Sequence, residues 1–390
     1  MDPVTLERYL SDKYEMVTSL RIYPREINIE PTKNFVTTVI GPRRSGKTYL
    51  LYGIMKNSRA LYLNFDDVEL FNEEPRGIIE SVNSYLEIFG EYPEFVLLDD
   101  VQNVPGWERA VRELHETKRF KIVVTGSSSK LLSREIATSL RGRALTYNLF
   151  PPSFKEFLRF RDYEIPEHLS TKRISEIKAL LAEYIRGSFP DVILSPNLAP
   201  KFYQDYANLV ILRDIIERYS LRNIWLVKFL FKSLVSSTAK EFSIHKIYNS
   251  LKSQGVVVAK TTLYEYVEHF YDAIVFLPLK KYSKSVRRRE LSLPKVYPVD
   301  PGISYHLGIR DRGRLLENVI YLDLIRRYGW ENVFYWSDRG DVDFIVLHDG
   351  EMIAIQVSYE VTEENRKREL LPLVRFSDKT GCENLYLVSW

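Results

Sequence analysis

The chain has a single cysteine, Cys382, in 390 residues. That excludes an intrachain disulfide and any zinc site built on cysteines. No stretch approaches the ~18 uninterrupted apolar residues of a membrane span, and the start, MDPVTLERYLSDKYEM, lacks the basic-then-apolar order of a secretory signal. A cytoplasmic protein without a membrane partner is therefore expected. A large net charge is also missing: the balance is only +3, so any contact with nucleic acid must come from a local patch. What remains is an ordinary globular composition, 45% hydrophobic and 27% charged. A chain of 390 residues is long for one core, so two or three domains are the expectation.

The strongest pattern is FVTTVIGPRRSGKTYLLYGIM. A β-branched run, 36–40, leads into Gly41-x-x-x-x-Gly46-Lys47-Thr48, and a helix-period apolar pattern follows. Strand, glycine loop and helix in that order make a P-loop. Its glycines let backbone N–H groups approach a β-phosphate, Lys47 brings a positive charge to the β- and γ-phosphates, and the Thr48 hydroxyl suits Mg²⁺. Gly41, Pro42, Arg43, Arg44, Ser45, Gly46, Lys47, Thr48 and Tyr49 form the expected binding set for ATP, and Lys47 is expected as a surface charge rather than a core element.

Such a loop needs a carboxylate strand, and PEFVLLDDVQNVPGWE supplies one. Four apolar residues from Phe95 to Leu98 read as a buried parallel strand ending at Asp99, the second expected Mg²⁺ residue beside Thr48. Asp100 then stands where a catalytic base polarises the attacking water. In RFKIVVTGSSSKLL a third strand ends in Thr125, Gly126, Ser127 and Ser128; Ser127 is the catalytic candidate for contacting a γ-phosphate or the lytic water, and a helix cap is the competing role. RALYLNFDDVELF gives a fourth strand whose aspartates, Asp66 and Asp67, fit a structural or a functional role equally.

The set GPRRSGKT, LLDDVQNVPGWE, VTGSSSKLLS and SLRGRALTYNLFPPSFKEFL resembles the archaeal-type ATPase family, an AAA-like branch of the P-loop ATPases with a catalytic-carboxylate strand inserted in the sheet. YQDYANLVILRDIIERYSLRN and the tail recur in that family in this order, so the resemblance covers the whole chain. It implies a nucleotide-driven machine rather than a kinase. By position it makes Arg141 and Arg143 of SLRGR candidates for an arginine that reaches a γ-phosphate, in cis or in a neighbouring subunit of a homo-oligomer. The departure is Asp100, where similar proteins carry glutamate; a side chain one methylene shorter implies slow hydrolysis.

The expected fold class is α/β in four parts: a P-loop parallel-sheet ATPase core over 1–160, a helical lid over 161–221, a winged helix over 222–300, and a restriction-endonuclease-like α/β domain over 301–390. EFSIHKIYNSLKSQG reads as a helix with Ser243 as its cap and Gly255 as its stop, and KTTLYEYVEHFYDA as a second helix with a threonine cap. That second helix offers Thr261, Thr262, Tyr264, Glu265, Glu268 and His269, with no Arg or Asn for bidentate base contacts. After it comes a hairpin whose basic tip carries Lys280, Lys281, Lys284, Arg287, Arg288 and Arg289, six positive charges in ten residues. DNA bound through its backbone or shape is the partner such a cluster fits.

The tail, a helix with Glu317 and then DVDFIVLHDGEMIAIQVSYE, resembles the restriction-endonuclease-like fold. That resemblance implies a metal held by a helix Glu, a strand Asp and the Glu of Glu-x-Lys. Glu317 is kept, and so is Asp343, read as the end of a short strand; Gln356 and Ser358 replace the second carboxylate and the lysine. A neutral amide binds Mg²⁺ poorly and a serine brings no charge to the nucleophile, so a domain that no longer cuts is expected. The whole reads as an ATP-dependent protein that binds or remodels branched or single-stranded DNA, such as Holliday junctions, in repair or recombination. The alternatives are an ATP-gated switch that docks a protein partner and an ATP-regulated nuclease.

Overall fold

A computed structural model describes residues 1–70, 73–127, 142–338 and 340–390. The chain forms two compact units, Met1–Pro152 and Ser153–Trp390. The break falls eight residues before the expected end of the ATPase core at 160, because the run that follows Pro152 starts a new helix with its own capping box. In that box Ser153 accepts the N–H of Glu156 at 3.1 Å, and the Glu156 carboxylate accepts that of Ser153 at 2.8 Å.

The first unit is built on a parallel sheet of β1 (Val36–Ile40), β2 (Ala60–Asn64), β3 (Phe95–Asp99), β4 (Lys121–Gly126) and β5 (Ala144–Asn148), in the order β2-β3-β4-β1-β5. Helices α1 (Pro3–Ser19), α2 (Lys47–Lys56), α3 (Pro75–Phe89) and α4 (Trp107–Glu116) surround it. A parallel sheet covered on both faces needs continuous apolar strands, and β3 and β4 supply Val96, Leu97, Leu98, Val123 and Val124, all fully buried. Each such side chain contributes about 1.5–3 kcal/mol by leaving water. The core also joins Val17, Leu51, Met55, Tyr62 and Leu149. The inserted strand is β4: it separates the P-loop strand from the carboxylate strand, so the ends of β1, β4 and β3 stand side by side.

The second unit opens with helices α5 (Phe154–Phe160), α6 (Thr171–Tyr184), α7 (Pro190–Leu194) and α8 (Ala199–Leu209), the last continuing as a π-helix over Val210–Glu217. All but α5, which falls within the expected core, are the helices expected as a lid. They belong to this unit's own core, where Phe157, Tyr184 and Ile193 pack with Leu315 and Val319. One buried carboxylate closes them: Asp300 accepts the N–H of Ser188 at 2.7 Å, the Tyr203 hydroxyl at 2.7 Å and the N–H of Gly302 at 2.8 Å. A side chain at Gly302 would run into the Tyr203 ring.

There follow α9 (Ile224–Ser236), β6 (Lys240–Glu241), α10 (Ile244–Ser253), α11 (Lys260–Asp272), β7 (Phe276–Leu279), α12 (Val286–Glu290) and β8 (Lys295–Pro298); the strands form an antiparallel sheet, β6-β8-β7. Ser243 caps α10 as expected, through the N–H of Lys246. The cap of α11 is Ala259, without a side-chain bond, and Thr261 and Thr262 lie inside the helix. The expected hairpin tip is instead a 15-residue connection, 280–294, holding a short helix.

The chain ends with α13 (Pro301–His306), α14 (Arg312–Tyr328), β9 (Val333–Ser337), β10 (Asp341–His348), β11 (Glu351–Ser358), α15 (Glu363–Thr380) and β12 (Asn384–Ser389), the four strands ordered β12-β11-β10-β9. Asp349 and Gly350, both at positive φ, turn β10 into β11 in a two-residue loop. Asp343 is the third residue of the eight-residue β10 rather than a strand end. No helix of the described residues is long and apolar enough to cross a membrane.

Candidate functional site

The P-loop leaves β1 at Gly41, whose N–H donates to Gly126 of β4 at 3.3 Å. Only glycine fits there, because a Cβ would stand 2.1 Å from the Leu149 carbonyl oxygen. Gly46 caps α2 at φ +97, a left-handed conformation costly for other residues. Lys47 is buried rather than a surface charge: its ammonium donates to the Gly41 and Pro42 carbonyls at 3.1 and 3.0 Å. Ser45 is buried and its hydroxyl has no partner. Arg43 is half-buried, while Arg44 and Tyr49 are exposed. Arg25, which no motif marks because it lies far upstream, clamps the loop by donating to the Ser45 carbonyl at 2.7 Å and the Phe150 carbonyl at 2.7 Å.

Asp99 ends β3 fully buried, and it hydrogen-bonds the Thr48 side chain. It also accepts from the Tyr62 hydroxyl at 3.0 Å and, in a short bond, from the Thr125 hydroxyl. Burial, and then the neighbouring charge of Asp100, push its carboxyl above the usual range, against the pull of those three hydroxyls. Asp100 adopts φ 52 and ψ 46, its N–H donates to Thr125 Oγ1 at 3.0 Å, and its Oδ1 accepts from Gln102 at 2.9 Å. The expected pair Thr48 and Asp99 is thus brought together, with Asp100 next in the chain. Thr125, passed over in favour of Ser127, carries the connection; Ser127 is buried one residue beyond the end of β4.

The structure separates the two aspartates after β2. Asp67 anchors α1, accepting from the Tyr9 hydroxyl at 2.7 Å and pairing with Lys13 at 2.8 Å. Asp66 faces the site: burial and then Asp100 raise its carboxyl, while Arg43 and an Asn103 amide lower it. Arg143 is not brought to the loop. Its carbonyl accepts the N–H of Val36, which places it at the amino end of β5 and β1, across the sheet from the P-loop, and its guanidinium lies 3.7 Å from Glu116. Arg141 lies outside the described residues, as does Ser128.

In the second unit, Glu317 of α14 and Asp343 of β10 do come together, around a residue that sequence reasoning missed. Lys295, the first residue of β8, is buried and donates to Glu317 Oε1 at 3.0 Å and Asp343 Oδ1 at 3.1 Å. Glu317 Oε1 also accepts from the Tyr297 hydroxyl at 2.6 Å, and Asp343 Oδ2 accepts the N–H of Val357 at 3.0 Å. Burial and then Asp343 push Glu317 up to about 7, although Lys295 pulls the other way. Burial works against the Lys295 ammonium, yet the two carboxylates outweigh it and hold the group above its usual range. Gln356 donates to Glu369 at 3.1 Å and Ser358 to the Glu360 carbonyl at 2.9 Å.

The basic segment is partly spent inside the unit. Lys280 pairs with Glu290 at 2.7 Å, and Arg289 stacks 4.7 Å over the Phe334 ring while donating to the Ser283 carbonyl; at Lys281 it is the main chain, not the ammonium, that bridges to Tyr335 of β9. Lys284, Arg287 and Arg288 are exposed.

Residues 33–158 match the AAA domain family, and 177–313 and 312–389 match two domains of unknown function, DUF8612 and DUF4143. An uncharacterized protein of Methanocaldococcus jannaschii, MJ1544, is 35% identical over 378 residues, covering 94% of this chain and 84% of that one. An uncharacterized protein of Haemophilus influenzae is 27% identical over 385 residues, covering 92% and 94%. Among solved structures, the Aeropyrum pernix ORC1 protein in complex with DNA aligns over 82% of this chain and 92% of that one, with 13% identity and a TM-score of 0.28.

Proposed function

We propose, for a chain that belongs to the family of Methanocaldococcus jannaschii MJ1544, the role of an ATP-dependent DNA-binding protein that acts on branched or single-stranded DNA. The observation that carries the reading is the meeting of Thr48, Asp99 and Asp100 at the carboxyl edge of the sheet, behind a P-loop with an unpartnered Ser45 hydroxyl and a glycine that tolerates no side chain. This donor set fits ATP and Mg²⁺. The loop N–H groups and Lys47 would hold the phosphates, and Thr48 and Asp99 would hold the ion, which supplies charge neutralisation when bound. Thr125 fixes both aspartates, and Gln102 orients Asp100 through Oδ1, so that Oδ2 takes the proton of the attacking water. Arg143 would act only on a neighbouring copy.

The order helix, strand, helix, helix, strand, short helix, strand over residues 224–298, with the last two strands antiparallel, supports a winged helix, and the helix with the mixed sheet over 312–389 supports a nuclease-like fold. Exposed Lys284, Arg287 and Arg288 are the phosphate contacts. A second reading, a nucleotide-gated switch that docks a protein partner, draws on the docking of the Lys281 main chain and the Arg289 guanidinium against β9.

Steady-state ATPase measured with duplex, single-stranded and four-way-junction DNA tests the proposal. DNA raises turnover severalfold in the wild type, and Asp100→Asn binds ATP without hydrolysing it. Turnover indifferent to every DNA, together with no salt-dependent DNA binding, would leave the switch. Unchanged turnover in Asp100→Asn would move the base elsewhere.

A further inference from the structure

A nuclease-like fold implies a divalent ion between the helix glutamate and the strand aspartate, and the residues present do not fit one. Mg²⁺ and its relatives need about six oxygen ligands at roughly 2.0–2.6 Å, several of them anionic. Here both carboxylates are turned onto one ammonium, at 3.0 and 3.1 Å, and each has a second donor as well, the Tyr297 hydroxyl and the Val357 N–H. Gln356 contributes a single neutral oxygen, buried and unpartnered, since its nitrogen is committed to Glu369. Glu369 is itself held by Arg368 at 2.7 Å. Among the described residues no three His, Cys, Asp or Glu side chains form a group able to hold a metal.

We infer that this pocket is a cation site filled by the protein itself: Lys295, reaching from β8 between Glu317 and Asp343, takes the place of the divalent ion, so the pocket neither binds a metal nor cuts DNA. A buried ammonium is costly unless paired, and a buried carboxylate pair is costlier still without a counter-charge. Each therefore requires the other. The residue comes from the three-stranded sheet and its partners from α14 and the four-stranded sheet, so the same charge fastens β8 to the nuclease-like fold. Lys295 lies 22 residues before Glu317 and 48 before Asp343, which is why no spacing motif shows it.

The inference rests on reading the tail as nuclease-like and not on ATP hydrolysis, and its test is blind to the ATPase. The full chain is melted without nucleotide, with and without Mn²⁺, as wild type, Asp343→Asn, Lys295→Ala and the Lys295→Ala/Asp343→Asn pair. Wild type and Asp343→Asn are expected to respond alike, whatever Mn²⁺ does at the P-loop. Lys295→Ala is expected to gain a further rise in Tm of about 3 °C or more, lost in the double variant, because the freed carboxylates accept the ion. A Lys295→Ala protein that folds and gains nothing would overturn the substitution of ammonium for metal. Should that variant not fold, crystals of the wild type soaked in Mn²⁺ decide: an anomalous peak between Glu317 and Asp343 overturns the inference, and its absence there with Lys295 in place supports it. Mn²⁺-dependent nicking of plasmid that disappears in Asp343→Asn would overturn it as well.

Discussion

The Thr125 hydroxyl donates to the Asp99 carboxylate while accepting the backbone N–H of Asp100 at 3.0 Å. One side chain from β4 thus sets the position of both aspartates, the last residue of β3 and the one after it. Thr125→Val keeps the volume but removes both bonds, leaving a buried carboxylate and a buried N–H short of a partner. We expect a stability loss of about 1.5–3 kcal/mol in urea titration and at least about a tenfold fall in ATP turnover. Thr125→Ser should recover most of both. Equal turnover in the valine variant would remove Thr125 from the site's machinery.

Lys47→Ala is expected to abolish ATP binding, as measured by calorimetry. Because Lys47 is buried on two loop carbonyls, the same substitution should also lower stability without nucleotide, by about 1–3 kcal/mol. A variant that melts with the wild type and still binds ATP would refute both the loop's role and its packing.

The basic segment divides by contact. Replacing Lys284, Arg287 and Arg288 together with alanine should flatten the salt dependence of DNA binding by up to about three phosphate contacts, uniformly across sequences. Arg289→Ala should leave that slope nearly unchanged and reduce stability, since its guanidinium covers Phe334. An unaltered slope in the triple variant would take the segment out of DNA binding.

Glu317 gives the second unit a pH dependence. Its folded pKa is pushed up to about 7 from an ordinary 4.5, chiefly by burial and then by Asp343, so folding takes up a proton across that interval. The contribution is complete below about 4.5 and is lost as pH rises through about 7, a change of at most about 3 kcal/mol. Melting temperatures followed from pH 4.5 to 8 should show this fall, and Glu317→Gln should flatten it. A variant with the wild-type slope would assign the titration to another group.

Patterns that are local were legible. The β-branched run, the glycine loop and the apolar strand closed by two aspartates are contiguous, and each dictates its geometry within a few residues. The Ser243 cap was legible for the same reason. What stayed hidden was pairing at a distance. Nothing near Asp66 or Asp67 tells which one meets Tyr9 and which meets Asp100, and nothing near Arg25 points to Ser45. The six charges of 280–289 look alike in a string; Phe334 of β9, about 45 residues later, engages Arg289, and Glu290 engages Lys280. A threonine reads as the cap of α11 because that residue type favours the role, but the helix already starts at Lys260, ahead of Thr261 and Thr262.

The buried Asp300 carboxylate has a consequence for how the chain is made. Its partners Ser188 and Tyr203 precede it by 112 and 97 residues, so the amino-terminal helices of the second unit emerge from the ribosome without their closing acceptor. At about 5–20 residues per second the interval from Ser188 to Asp300 lasts roughly 6–22 seconds. Throughout it the apolar faces of α5 to α8 have no finished core to enter, while the last residue of the first unit, Pro152, has already been made. Synthesis should thus pass through a state with one folded unit and one waiting, and that waiting state is where a chaperone would engage the nascent chain.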